Sequence, residues 1–291
     1  VFLFPRDLLG LPAASLLAAG LGLAVSVGSA RGAADAGVAN PAPASNAAAF
    51  SPGSEISTTV GGTFVSQYLY RGERLGGPSL QSWVEVDPGS LGLGVWTDFP
   101  LTGVGNPAHQ SNPEIDPYAY YRIALSDQFA LIPAFQVDTY PAANPGPAPT
   151  PGYFRTRAEP SLAAEWRFHG VTLEPKVAYD FTLRGATSEL TGLYALPVAA
   201  IGSEVDLKAT GGWFDYANGL VNASPHARAV GGYWLAGAEL PFQLNRRSRL
   251  TLGWAYTAAF HNSLKAGSAP RIGNRLAAGR GVLSLSYAWT F

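Results

Sequence analysis

The sequence predicts an all-β fold: a transmembrane, antiparallel, up-and-down β-barrel of about 12 strands. Three observations predict it. From Glu55 onward there is no helical period of useful length, only runs whose apolar residues fall at alternate positions. The links between those runs alternate between tight turns and longer stretches rich in Gly, Pro and Asn. The chain is 47% hydrophobic and only 13% charged, against roughly 25% charged in soluble domains, so it is poor in groups that keep a surface wet.

The same composition excludes whole classes of function. A net charge of -1 with no basic arm provides no footprint for nucleic acid. The absence of cysteine removes a disulfide scaffold, a thiolate nucleophile, a Cys metal site and a lipid-anchored mature N-terminus. Four scattered histidines give no metal-ligand spacing, and no Gly-rich loop enters a helix, so no metal and no cofactor is expected.

Taken in order, residues 1–36 read as a secretory signal: Arg6, an apolar run from Leu8 to Val27, and an A-x-A exit at Ala34-Asp35-Ala36, with a second candidate site after Ala30. The competing reading of that run is a membrane anchor helix. The chain has no methionine, so Val1 implies an alternative start codon or a misplaced start. Residues 37–54, made of Ala, Pro, Asn, Ser and Gly, cannot pack a core and are expected to be a floppy linker or a plug. The barrel is expected over 55–291. Its strands are expected at Glu55 to Gly72, Ser79 to Val86, Leu91 to Leu101, Ile115 to Ser126, Phe129 to Tyr140 and Phe154 to Phe168. Six more are expected at Val171 to Arg184, Leu190 to Ile201, Val205 to Tyr216, Tyr233 to Leu244, Arg249 to His261 and Val282 to Phe291. Turns such as Asp87-Pro88-Gly89-Ser90 and His169-Gly170 belong on the periplasmic side and the longer links outside.

Chemistry decides which face meets lipid. Val171, Leu173, Pro175, Val177, Tyr179, Phe181 and Leu183 oppose Thr172, Glu174, Lys176, Ala178, Asp180, Thr182 and Arg184. A charge on the apolar face would cost about 2–4 kcal/mol at mid-bilayer. The polar face is therefore assigned to the lumen. Its candidates are Arg71, Glu85, Asp98, Asp116, Arg122, Asp138, Arg155, Arg157, Glu159, Lys176, Asp180 and Arg184. These groups form either a structural network of cross-strand pairs or a selectivity ladder for a solute. Twelve strands imply a narrow pore.

The last strand turns Leu283, Leu285, Tyr287, Trp289 and Phe291 one way and Ser284, Ser286, Ala288 and Thr290 the other. This terminus resembles the C-terminal targeting strand of bacterial outer-membrane barrels, with Leu285, Tyr287, Trp289 and Phe291 as the insertion signal read by the barrel-assembly machinery. Phe64 to Glu85, Leu91 to Asp98 and Glu114 to Tyr121 resemble a family of Gram-negative outer-membrane proteins, conserved hypothetical proteins and porin candidates, whose first strand carries S-x-Y-x-x-R-G. Ser66, Tyr68, Arg71 and Gly72 match that motif, and Gly92, Trp96, Glu114 and Asp116 match the family's next two segments. The resemblance covers about the first third of the mature chain and implies an outer-membrane barrel. In the residue reading, Arg71 lies where the first strand meets an outside turn and caps the turn or pairs in the lumen.

His109-Gln110-Ser111-Asn112 resembles the His-x-Ser-Asn core of outer-membrane phospholipases, which need a base and an orienting group around the serine. Glu114 and Ile123 stand where that family has Arg and Asn, and the motif sits between Pro107 and Pro113. The sequence thus points to a non-enzymatic, narrow, passive channel for small solutes. A closed structural or surface-interaction barrel is the alternative, and a lipid hydrolase the third reading. Outer-membrane lipid and lipopolysaccharide are the expected surroundings, and Lys265, Arg271, Arg275 and Arg280 are candidates for lipopolysaccharide phosphate.

Overall fold

The computed structural model describes residues 56–102, 113–141, 156–198, 203–217, 228–260 and 279–291. The alternating runs form antiparallel strands joined edge to edge in chain order. They are β1 (Ser57–Val65), β2 (Tyr68–Tyr70), β3 (Glu73–Gly76), β4 (Ser79–Asp87), β5 (Leu91–Pro100), β6 (Glu114–Tyr121), β7 (Ile123–Ala124) and β8 (Phe129–Thr139). Then come β9 (Thr156–Phe168), β10 (Val171–Asp180), β11 (Gly185–Val198), β12 (Ser203–Tyr216), β13 (Ala229–Asn245), β14 (Ser248–Phe260) and β15 (Arg280–Thr290). β6 and β7 both pair with β8 and form one stave broken at Arg122. β1 pairs with β4 on one side and with β15 on the other, so the sheet closes into a barrel of 12 staves. Closure leaves no edge, which hydrocarbon would not tolerate.

The exterior matches the expected lipid face. Phe64, Leu80, Val84, Phe135, Val177, Trp254 and Leu285 are exposed large apolar side chains spread around the barrel. On the outward positions of the described strands the one acidic or basic side chain is Asp215, near the end of β12, where it pairs with Arg228.

The first strand departs from expectation. It ends at Val65 rather than Gly72, because Arg71 (φ 46°) and Gly72 (φ 82°) both take positive φ. Two such residues in succession make the tight turn whose twist suits a two-residue hairpin. Tyr70 therefore faces Glu73 across the turn, and β2–β3 form a separate two-stranded sheet that joins no stave. The link expected at Glu73 to Pro78 is thus the far arm of a hairpin. Its roots are backbone bonds from Ser66 N–H to Leu283 O (2.9 Å) and from Gly77 N–H to Thr102 O (3.1 Å).

A second departure lies at the end of β10. One carboxylate oxygen of Asp180 accepts the backbone N–H groups of Thr182 (2.8 Å) and Leu183 (2.6 Å), which ends the strand and rotates the next few residues out of phase. Leu183, expected to face lipid, is buried with Phe214, Tyr216 and Tyr233. Arg184, expected in the lumen, is instead exposed in the turn with φ 55°, and β11 starts at Gly185 rather than Leu190.

The interior is not uniformly polar, and the residues in phase with Glu85 and Asp98 include large aromatics. Trp83 and Trp96 turn inward and pack with Val65, Tyr68, Leu69 and Val282. Gly61 makes room for this: it lies opposite Trp83, and a Cβ on it would fall 2.1 Å from the indole.

Candidate functional site

The site is the upper lumen, where the hairpin crosses from its roots at β1 and β4 to the opposite wall. Short turns mark the periplasmic end of such barrels, so the hairpin lies toward the outside. Leu69, 1% exposed, anchors it in the tryptophan cluster. Tyr68 donates its hydroxyl to Glu114 on β6 (2.8 Å), which also accepts from Tyr140 (2.6 Å). At the tip Arg71, 4% exposed, grips Glu159 on β9 with both terminal nitrogens (2.9 and 3.2 Å) and donates to the Tyr216 hydroxyl on β12. The Tyr70 ring lies 4.8 Å from the guanidinium carbon. Gly72 presses against Tyr233 and Ala259, where a Cβ would come within 2.8 Å of the tyrosine. A side chain there would push the tip off the wall, so the motif's glycine serves both turn and contact.

Around this contact the wall carries paired charges. Arg157 donates to Asp180 (2.7 Å) and lies 3.1 Å from Asp138, which also accepts from Gln136 (2.6 Å). Asp116 accepts the backbone N–H of Thr139 (3.2 Å), and Asp98 accepts from Gln81 (2.9 Å). Lys176 is buried beside the Arg71–Glu159 contact, with Glu189 and Glu174 also in its field. Toward the tight-turn end, Glu85 accepts from Tyr118 (2.6 Å) and Tyr120 (3.2 Å). Arg122, at the break between β6 and β7, forms a two-bond fork with Glu165 (2.7 and 2.8 Å), which also meets Arg167 (2.6 Å).

Arg71, Asp138, Arg157, Glu159, Lys176 and Asp180 thus gather at one level of the lumen. Glu85 and Arg122 lie in separate clusters, and Arg184 is kept out of the lumen by the turn that Asp180 caps. Arg155, His109 to Asn112, and Lys265, Arg271 and Arg275 fall outside the described residues, while Arg280 opens β15. Sequence reasoning missed Tyr68, Tyr140 and Tyr216 as lumen groups because the lumen candidates were drawn from acidic and basic residues alone. Tyr216 shares its parity with Asp206 and Lys208 on β12, a signal that could have placed it inside. Among the described residues no group of three or more His, Cys, Asp or Glu is arranged to hold a metal ion.

A closed antiparallel barrel with an apolar exterior and charges turned inward is a bacterial outer-membrane barrel. Comparison with one solved outer-membrane channel agrees on the fold. The outer-membrane channel COG4313 from Pseudomonas putida F1 superposes with a TM-score of 0.50 at 12% identity, covering 84% of this chain and 98% of that one. The KdgM porin gives a TM-score of 0.48 at 7% identity, over 80% of this chain and 99% of that one. Omp33 of Acinetobacter baumannii gives 0.38 at 8%, over 81% and 98%. No protein-family model and no curated protein matches the chain.

Proposed function

We propose that this chain is a narrow, porin-like channel through which small solutes diffuse passively across the outer membrane. The observation that carries the reading is the contrast between the faces of the closed sheet: apolar outward, and inward lined with charges of both signs. Twelve strands lie between the eight whose side chains fill the interior and the sixteen of wide porins, and the hairpin narrows the passage further. Glu85, Asp98, Asp116, Arg122, Asp138, Arg157, Glu159, Lys176 and Asp180 are the proposed selectivity groups, with Arg71 at the constriction. Single-channel recording in planar bilayers tests this: discrete conductance steps are expected, and their absence would refute the channel. A salt gradient should give a cation-selective reversal potential, since β4, β5 and β6 carry Glu85, Asp87, Asp98, Glu114 and Asp116 and no Lys or Arg.

A second reading, a closed barrel with a structural role, is favoured by the hairpin seated in the lumen, and the same recording separates the two. The S-x-Y-x-x-R-G match supports membership of that Gram-negative family. Residues 1–36 are proposed as the export signal and 37–54 as a linker. Leu285, Tyr287, Trp289 and Phe291 are proposed as the strand read by the assembly machinery, and lipopolysaccharide as the outer surrounding.

A further inference from the structure

The contact at the hairpin tip has the form of a receptor and its ligand. Glu159 is a fixed carboxylate on a strand, engaged in bidentate fashion by a guanidinium. That geometry suits the planar fork of arginine and not the single ammonium of lysine. Tyr216, held by Thr187 (2.6 Å), supplies an acceptor on the second side. Both belong to the barrel wall and stay there whatever the hairpin does. The hairpin, by contrast, pairs only with itself. Its tip also requires a non-glycine residue at positive φ, a conformation of raised energy that persists only where surrounding contacts hold it. The tip is thus a tethered ligand, and the wall a site for the class of group it presents.

We propose that Glu159 and Tyr216 form a guanidinium-binding site on the lumen wall, filled here by Arg71 of the same chain, and that a guanidinium-bearing solute entering from outside competes for it and releases the hairpin. The site stands on the contacts themselves. Only its consequence for permeation rests on the channel reading. Arg157 and Lys176 lie in the field of Glu159 as well, so a vacated carboxylate is not bare, but the two-bond fork is made by Arg71. A ligand on a short tether competes at roughly millimolar effective concentration, so free competitors should act from about that level upward.

The chain has no cysteine, so Val282→Cys, a change of similar volume on the β15 wall that the hairpin's Leu69 covers, gives a reporter that leaves the hairpin itself intact. The protein in lipid vesicles is treated with a membrane-impermeant maleimide and the labelling rate measured. The parent should label slowly. Glu159→Gln should raise the rate roughly tenfold or more, since a buried, hydrogen-bonded charge pair is broken. Tyr216→Phe, a milder change that keeps the carboxylate, should raise it several-fold and carries the test if Glu159→Gln does not fold. Arginine amide should accelerate labelling of the parent saturably, while lysine amide and sodium chloride at equal ionic strength should not, and it should add nothing in Glu159→Gln. Unchanged labelling in the folded variants, or equal effects of arginine amide, lysine amide and salt, would overturn the proposal. Labelling that behaves as expected in a protein passing no current keeps the site and removes the channel. Conductance without arginine-dependent labelling does the reverse.

Discussion

Whether the lumen network is dry or wet can be decided at Arg157. Its side chain is 3% exposed, and it bridges Asp180 at 2.7 Å and Asp138 at 3.1 Å, acids whose side chains are 0% and 4% exposed. Arg157→Ala strands two buried carboxylates. Breaking such a pair in a dry interior costs about 3–5 kcal/mol, most of it from the charge left unpaired. The two acids do not suffer equally. Asp180 keeps the N–H groups of Thr182 and Leu183, whereas Asp138 keeps, among the described residues, the single side-chain donor Gln136 and lies near Glu159. Adding Asp138→Asn to Arg157→Ala should therefore restore about half of the stability. The assay is equilibrium unfolding in urea from lipid vesicles, followed by tryptophan fluorescence; guanidinium chloride is avoided because it would compete at the Arg71 site. A destabilisation below about 1 kcal/mol, the range of solvated ion pairs, or no recovery in the double variant, would show that water solvates these carboxylates and that the network is not what holds the upper lumen.

Other predictions are simpler to state. Gly61→Ala should destabilise by about 1–3 kcal/mol, the usual cost of overpacking, because the new methyl meets the Trp83 ring; Trp83→Phe in the same chain should recover part of it in the same urea assay. Val84→Arg, on the outward face midway along β4, should cost about 2–4 kcal/mol in lipid, whereas Val84→Leu should be nearly neutral. Phe291→Ala should slow assembly in cells, read as accumulation of unfolded chain, yet leave conductance of the barrel refolded in vitro unchanged, since Phe291 is outward and its backbone N–H still reaches Thr58 O (2.9 Å).

Most of the barrel was legible because alternation is a strong signal where one face meets lipid. In β10 the outward Val177 and Tyr179 and the inward Lys176 and Asp180 are read directly from parity. The hairpin was not legible for a specific reason. Thr63, Val65 and Leu69 keep apolar or β-branched residues in phase past the true strand end, so the run reads as one long strand. The stop signal is Arg71-Gly72, whose conformation is that of His169-Gly170 between β9 and β10 (φ 47° and 82°). The second pair was read as a turn because long alternating runs flank it on both sides, and the first was absorbed into a motif. An arginine is also a rare occupant of that turn position, where Asn and Asp are usual, and its stabilising partners, Glu159 and Tyr216, lie 88 and 145 residues away. Arg184 failed differently. Parity held up to Asp180, but a carboxylate that accepts backbone N–H groups from the next residues resets the phase, and only the hydrogen bonds reveal it.

The seam between β1 and β15 has a consequence for biogenesis. Thr63 and Ser286 meet across it although 223 residues separate them. Until the last stave docks, the sheet has two raw edges, each a row of unpaired amides able to recruit any extended segment nearby. Closure also costs loop entropy that no local contact offsets in advance. A sheet still open at this seam therefore carries unpaired backbone groups that lipid cannot satisfy, and that cost is relieved only when β15 docks on β1.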